Sequence, residues 1–192
     1  ILNDGGTRLV IVDSTITGNH ASGSVANVGG IHDVHGGFGL TELTNTILSG
    51  NGPGWIADDC ASARSIGGGN IIGDSTRCHL DAQANDQLDV DPGLGALADN
   101  GGFTRTHRPG ANAIDHGAAA CSASDQRGVA RPQDGDGDGG ATCDAGAVEV
   151  GDVDAIFADG FDDAATSPAS PRGFTAASAA RNGAAERVAQ GT

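Results

Sequence analysis

The feature that most constrains the fold is a repeat near the start of the chain. The segments IVDSTITGN (residues 11–19) and LTNTILSGN (residues 43–51) align without a gap, and RSIGGGNIIGD (residues 64–74) is a degenerate third copy. Each of the first two is a short β-branched run that ends in Gly-Asn. This pattern predicts a strand followed by a turn with left-handed backbone. A repeat of this length, built from short strands and glycine turns, is typical of a solenoid.

The alternatives to a solenoid fit the pattern less well. An antiparallel sandwich would have hairpin turns and cleaner alternation of polar and apolar residues. No window before the tail carries the apolar i, i+3, i+4, i+7 stripe of an amphipathic helix. We therefore predict an all-β fold, a parallel β-helix, with aliphatic side chains stacked inside and Asn, Ser and Thr ladders at the corners. Two coils cannot stand alone, so we expect the chain to be the C-terminal part of a longer protein.

Composition limits the partners and the kind of core. The formal net charge is −15, with 25 acidic residues against 10 basic ones, which argues against a nucleic-acid partner. No stretch is long and apolar enough to cross a membrane. The chain has 33 glycines and few aromatic residues, so the core must consist of Ile, Leu, Val and Ala. Almost all the acid is Asp, a residue that suits turns and oxygen-rich cation sites.

The four cysteines indicate disulfides rather than zinc. They are widely spaced, with no C-x-x-C pair and no zinc-type spacing to a histidine: Cys60, Cys78, Cys121 and Cys143. An even count favours two disulfides and an oxidising compartment. Chain order favours Cys60–Cys78 and Cys121–Cys143, each closing a loop of about 20 residues and contributing roughly 3 kcal/mol. The other two connectivities remain open at this point.

Changes in composition divide the chain into four segments. Residues 1–59 are expected to form the last coils of a parallel β-helix. Residues 60–149 are rich in turns and hold all four cysteines, so they are expected to form a disulfide-stapled C-terminal cap. Residues 150–163 are an acidic segment that contains IFADGF. Residues 164–192 are low in large apolar residues and are predicted to be a disordered tail.

The acidic stretch DGDGDGG (residues 134–140) is a candidate calcium site. Calcium needs several hard oxygen ligands around one point, and Asp at alternate positions of a tight glycine loop provides them. The glutamate that ends an EF-hand loop is missing, because its position is Ala145, although Glu149 could also contribute. The candidate ligands are Asp134, Asp136, Asp138, the main chain of Gly140 or Thr142, and Asp144. The alternative is a solvated acidic turn; a calcium site here would be of the weak, extracellular class.

Other polar residues are more consistent with structural roles. His32 and His35 would face opposite sides of a strand, so they do not predict a metal site. Asp115, Asp125, Arg127 and Arg131 are expected to form ion pairs and turn hydrogen bonds within the cap. In the two repeats, Asp13 and Asn45 occupy matched positions without an adjacent second acid. We therefore identify no catalytic residue, since carboxylate chemistry on polysaccharides requires a close pair of acids.

Several motifs occur in one order along the chain: LTNTILSGN, GGNIIGD, DP-x-LG-x-LADNGG-x-T-x-TH (residues 91–107), PGANAIDHG (109–117), DQRGVARPQ (125–133) and CDAGAVE (143–149). Together they resemble the C-terminal region of secreted bacterial right-handed parallel β-helix proteins of the choice-of-anchor Q domain type, relatives of polymorphic outer-membrane repeat proteins. The resemblance implies a pectin-lyase-like, right-handed β-helix, export from the cell, and a following anchoring or sorting segment. Residues 154–162 also resemble a short C-terminal IF-x-DGF-E signature of exported proteins, with Asp162 in place of Glu and about 30 residues following it.

Two functions from different classes fit these observations. The first is a non-catalytic, structural or adhesive part of a secreted or bacterial cell-surface protein, with extracellular glycan or cell-surface components as partners. The alternative is the C-terminal end of a polysaccharide lyase or hydrolase whose catalytic site lies in preceding coils. A scaffold that displays preceding modules is a third, plainer option. Glycan binding without turnover favours the first function, whereas release of reducing ends or unsaturated sugars favours the second.

Overall fold

The computed structural model describes residues 1–4, 8–22, 28–34, 41–52 and 59–151. Within these ranges the chain forms short strands and turns and no helix. The ten strands are β1 (Leu2–Asn3), β2 (Leu9–Val12), β3 (Thr15–Thr17), β4 (Ile31–Asp33), β5 (Thr41–Thr44), β6 (Ile47–Ser49), β7 (Cys60–Ala61), β8 (Ala63–Gly68), β9 (Ile71–Ile72) and β10 (Gln87–Leu88). The predicted all-β class is therefore confirmed for the described part of the chain.

The strands form three parallel sheets that the chain visits in turn. The orders are β1-β4-β7 in the first sheet, β2-β5-β8 in the second, and β3-β6-β9-β10 in the third. Each strand from β1 to β6 pairs in parallel with the strand three positions later, so the pairs run from β1–β4 to β6–β9. The described strands thus make three successive passes through the same three sheets, and β10 extends the third sheet.

The pairing register follows the sequence repeat. Ile11 lies beside Leu43 in the second sheet, and Thr15 lies beside Ile47 in the third. The gap-free alignment of the first two repeats is therefore confirmed as a structural register. The third copy also takes part, because Ile47 lies beside Ile71. Its degeneracy has a physical cause: the register shifts in β8, where residues 66 and 67 are inserted as a bulge.

The core lies between the three sheets and is aliphatic. Its fully buried members are Ile31, Leu43, Leu48, Cys60, Ala63, Ile72 and Cys78. Every sheet contributes to this cluster, because alternate side chains of a strand point to the same face. Burying one Leu or Ile stabilises the fold by about 1.5–3 kcal/mol. The expected core without large aromatic side chains is confirmed among the described residues.

The corner between the second and third sheets requires left-handed backbone on every pass. Asp13 and Asn45 have φ values of 46° and 49°, and Gly69 at the corresponding position has 70°. Asp and Asn tolerate this conformation better than most residues, and Gly adopts it at no steric cost. Gly18 and Gly50, which end the repeats, have φ values of 68° and 70°. The predicted left-handed turns are thus confirmed.

Polar side chains at the corners bond to their counterparts one pass away. Asn19 Nδ2 donates to Asn51 Oδ1 at 2.9 Å. Asn45 Nδ2 donates to Asp13 Oδ1 at 3.0 Å. Asn51 Nδ2 also donates to Asp59 Oδ1 at 2.9 Å, which joins the end of β6 to the start of β7. The predicted polar ladders are confirmed, and they satisfy amide groups that would otherwise be buried without partners.

Residues 89–151, here called the lateral layer, pack against the outer side of the third sheet. Ile47 and Ile71 are fully buried there against Ala113 and Ala145, with Val90 and Leu94 alongside: they form a second apolar cluster. Ala145 N donates to Ala113 O at 2.9 Å within this layer, and Gly146 N donates to Asn45 O at 2.8 Å across to the sheets. The expected cap therefore lies along a side of the three-sheet unit (the described residues of 1–88).

Strand pairing continues beyond residue 59, the predicted end of the coils. Cys60 lies beside Ile31 and Ala61 beside His32, so β7 continues the first sheet. β8 and β9 likewise continue the second and third sheets. The degenerate third repeat at residues 64–74 indicated this continuation, although the turn-rich composition begins before the strand pairing ends. The acidic segment after Gly151 and the tail at 164–192 lie outside the described residues.

Both disulfides have the pairing favoured by chain order. Cys60 and Cys78 are joined within the three-sheet unit, with Cα atoms 4.7 Å apart. Cys121 and Cys143 are joined within the lateral layer, with Cα atoms 6.4 Å apart. Each disulfide thus staples a different part of the fold, rather than both stapling one cap.

Candidate functional site

The acidic loop at residues 134–140 is folded by its own carboxylates. Asp134 accepts from Gly137 N–H through Oδ1 at 2.7 Å and from Gly139 N–H through Oδ2 at 2.8 Å. Asp136 Oδ1 accepts from Asp138 N–H at 3.0 Å. The φ values of 77° at Gly137 and 94° at Gly139 require glycine. The alternation of Asp and Gly thus has a local structural cause, since each Asp closes a turn that a Gly makes possible.

Asp115 anchors this loop to the rest of the lateral layer. Its Oδ2 accepts from the N–H groups of Gly135 at 2.8 Å and Asp136 at 2.9 Å. Its Oδ1 accepts from Thr142 N–H at 3.1 Å. Three backbone bonds to one carboxylate fix where the loop begins and ends.

Asp115, Asp134 and Asp136 form one group of carboxylates. One oxygen of each lies within 4.8 Å of the others. Calcium–oxygen distances of about 2.3–2.6 Å allow two ligands of one ion to be up to about 5 Å apart, so the group fits a calcium ion. Each carboxylate has about four acceptor positions, so the backbone bonds leave lone pairs for an ion. Repulsion among three close negative charges also favours a bound cation.

The structure brings together only part of the ligand set predicted from the sequence. Asp134 and Asp136 are in the group and Asp138 is not, and Asp138 Oδ1 accepts from Gly140 N–H at 2.7 Å. Asp144 is fully buried elsewhere, and Thr142 contributes its N–H to Asp115. Asp115 is the member of the carboxylate group that the sequence analysis did not place there, because it lies about 20 residues away in an unrelated motif.

Asp144 and Glu149, both fully buried, lie behind the acidic loop. Asp144 accepts from the N–H groups of Asp115 at 2.8 Å and Val150 at 2.6 Å. Burial raises the pKa of Asp144 to about 7 and outweighs these bonds. Burial also raises the pKa of Glu149 above its usual range, although Glu149 accepts from the N–H groups of Asp144 and Gln133. Asp144 therefore supports the loop through Asp115 rather than as a ligand in the carboxylate group.

Two buried arginines complete the polar interior of the lateral layer. Arg127 Nε donates to Asp125 Oδ2 at 2.8 Å. Burial alone would raise the pKa of Asp125, but bonds from the Glu149 N–H and from Arg127 hold that pKa below its usual value. Arg131 Nε lies 3.5 Å from Glu149 Oε2, and Arg131 Nη1 lies 3.6 Å from Asp13 Oδ1. The predicted structural ion pairs of Asp125, Arg127 and Arg131 are confirmed.

The remaining candidate site residues have structural partners or lie outside the described residues. His32 is half-buried in β4, and His35 is outside the described residues. Asp13 accepts from Asn45 and from Ser122, whose N–H lies 2.8 Å from Asp13 Oδ2. Asp13 thus joins the corner to the lateral layer. Within the described ranges, no helix could span a membrane.

Comparisons with known proteins do not assign the chain to a family. Neither protein-family models, nor curated proteins, nor solved structures match it. The residues and their geometry are therefore the basis for proposing a function.

Proposed function

We propose that this chain is the C-terminal part of an exported, right-handed parallel β-helix protein with a structural or adhesive role. The observation that carries the proposal is the strand order: three parallel sheets enclose one core, and each strand from β1 to β6 pairs with the strand three positions later. Successive coils of a solenoid produce this order, because each coil contacts only its neighbours. The sequence motifs that resemble secreted β-helix proteins point in the same direction.

The disulfides support a location outside the cytoplasm. Two are present, and the described cysteines are all paired. Such bonds persist in oxidising compartments and are rare where glutathione keeps thiols reduced. The proposed location is therefore extracellular or on a bacterial cell surface.

The outer face of the second sheet supports an adhesive role. Val10 and Val12 on β2 are 46% exposed, and Ile66 on β8 is 49% exposed. Arg8 pairs with Glu42 on the same face, where Glu42 lies beside Val10. Parallel sheets are usually covered on both faces, so an exposed face of mixed chemistry is available for a partner. Extracellular glycan or cell-surface components are the proposed partners.

A binding assay tests this role against the enzymatic alternative. The chain is incubated with insoluble neutral polysaccharides and with polygalacturonate, and both retention and product release are measured. Retention without new reducing ends or unsaturated sugars is expected. Product release that co-purifies with this chain would overturn the non-catalytic proposal. Absence of retention on every polysaccharide would overturn the adhesive one.

We further propose that calcium binds Asp115, Asp134 and Asp136. The ion would neutralise three close carboxylates and tie the acidic loop to Asp115 in the lateral layer. If calcium is present at ten times its dissociation constant, the folded state gains about 1.4 kcal/mol, which raises the melting temperature by about 3–5 °C.

Thermal unfolding of the oxidised chain, with calcium or with a chelator, tests this site. The rise in melting temperature with calcium should disappear in Asp136→Asn, which removes one charge from the carboxylate group. Asp138→Asn is the matched control, because Asp138 belongs to the same loop but not to the group. No rise in the unmodified chain would mean that the loop is a solvated turn, whereas equal loss in both variants would overturn the assignment of the ion to Asp115, Asp134 and Asp136.

A further inference from the structure

A groove of about 400 Å³ lies between the corner of the three-sheet unit and the lateral layer. Its walls carry hydroxyl, amide and carboxylate groups, and Val12 and Ala147 add small apolar surfaces. The polar side chains are Asp13, Ser14, Thr15, Ser122, Ser124, Asp125 and Gln126. The volume lies within the range of small-molecule sites.

Hydrogen bonds fix several groups in the groove in place. Ser14 Oγ donates to Val12 O at 2.7 Å, and Thr15 Oγ1 accepts from Ala147 N–H at 3.0 Å. Ser122 Oγ donates to Asp13. Ser14 and Ser122 therefore keep acceptor lone pairs, and Thr15 keeps its hydroxyl hydrogen as a donor. A rigid set of donors and acceptors suits a ligand with many hydroxyl groups.

The carboxylates that line the groove lie beside arginines. Asp13 lies 3.6 Å from a guanidinium nitrogen of Arg131. Asp125, which also borders the groove, is paired with Arg127 at 2.8 Å. Each of the two carboxylates that line the groove thus has an arginine partner, although Arg131 also lies 3.5 Å from Glu149, and the chain as a whole is strongly acidic. This favours an uncharged ligand over an acidic polysaccharide, which the overall charge would repel.

An exposed aromatic ring lies on the loop next to this groove. Phe103 is fully exposed, in a loop closed by two backbone bonds between Ala98 and Thr106, at 3.1 and 3.0 Å. Its neighbour Thr104 accepts from Gln126 Nε2 at 2.8 Å, and Gln126 lines the groove. A fully exposed Phe on a hydrogen-bonded loop provides a flat apolar surface that costs little entropy to order.

We propose that the groove and Phe103 together form a subsite for a neutral saccharide. The groove hydroxyls and Gln126 bond the polar edges of one sugar unit, and Phe103 stacks on the apolar face of a neighbouring unit. The inference depends on the proposed adhesive role and narrows its partner to uncharged glycans.

Calorimetric titration of the full oxidised chain tests the subsite. The probes are neutral hexasaccharides of glucose, mannose and N-acetylglucosamine, with hexagalacturonate as the acidic comparison. At least one neutral probe should bind more tightly than hexagalacturonate. Phe103→Ala should weaken that binding by about tenfold, the effect of losing one buried aromatic contact. Ser124→Leu, which fills the groove, should weaken it similarly.

Leu97→Ala is the matched control, because Leu97 is an exposed apolar residue just before the same loop and does not line the groove. The Leu97→Ala variant should bind the neutral probe with the same affinity as the unmodified chain. All three variants should melt at unchanged temperature, since the altered side chains are exposed. Tighter binding of hexagalacturonate, or neutral binding that is insensitive to Phe103→Ala and Ser124→Leu, would overturn the subsite but leave the adhesive role intact. Failure of every probe to bind would overturn the subsite, while retention on other surfaces would still decide the adhesive role.

Discussion

The three-sheet unit and the lateral layer are stabilised by different interactions. The three-sheet unit encloses an aliphatic cluster and repeats the same backbone turn on each pass. The lateral layer contains no regular strand within residues 89–151 and buries Asp125, Arg131, Asp144 and Glu149 alongside small apolar side chains. Its backbone N–H groups bond to Asp carboxylates where a sheet would use carbonyls. The comparison explains the excess of Asp over Glu, because the short Asp side chain reaches nearby N–H groups.

The largest expected effect comes from the core of the three-sheet unit. Leu43 is fully buried in the second sheet. Leu43→Ala should lower the free energy of unfolding by about 2–5 kcal/mol, through lost burial and a residual cavity. Because the lateral layer packs on the third sheet, hydrogen exchange should accelerate in both regions. Acceleration confined to either region would contradict their dependence on a common scaffold.

Breaking the lateral disulfide should have a smaller and more local effect. Replacing both Cys121 and Cys143 by Ser should cost about 3 kcal/mol, because the denatured chain regains the freedom of that loop. Hydrogen exchange should accelerate in residues 113–147 and remain slow in β5 and β6. The matched comparison is the double replacement of Cys60 and Cys78, which should loosen β7 first. Equal patterns from the two replacements would argue that the regions are not distinct.

The stability of the two regions should also depend differently on pH. The folded-state pKa of Asp144 is about 7, above its ordinary value of 3.8. A raised folded-state pKa contributes stability that is complete below the unfolded pKa and is lost as the pH rises through the folded one. The melting temperature of the lateral layer should therefore fall as the pH rises from about 4 to about 7.

Asp144→Asn is the control for this dependence. The variant should have a flatter profile over the same pH range, whatever its absolute stability. An unchanged slope would mean that Asp144 remains ionised throughout. The aliphatic core of the three-sheet unit should show no corresponding change in hydrogen exchange.

The sequence predicted the three-sheet unit better than the lateral layer. The repeat determined strands, turns and register because each pass uses the same local chemistry, as at Asp13 and Asn45. The favoured disulfide pairs were also correct, since each joins two consecutive cysteines of the chain. These features depend on local or periodic patterns, which one sequence is enough to display.

The lateral layer could not be predicted in the same way because its contacts are distant in sequence and not periodic. Asp115 bonds to the acidic loop about 20 residues later, and Asn45 accepts from Ala118 N–H across 73 residues. No pattern in the sequence marks these pairs. For the same reason the grouping of Asp115 with Asp134 and Asp136 was not predicted, and the groove was not foreseen.

The most direct test of the central claim is cross-linking across the second sheet. Val10 lies beside Glu42 in the parallel register, and both side chains point outward. Adjacent strands lie about 4.8 Å apart, so Val10→Cys with Glu42→Cys meets the geometry of a disulfide. Val10→Cys with Thr44→Cys is the control, since two residues of offset separate the Cα atoms by about 8 Å. Mild oxidation followed by peptide mass mapping should give a cross-link in the first pair and none in the second. Cross-linking of the second pair alone, or of both equally, would contradict the parallel stacking of repeats on which the proposed β-helix depends.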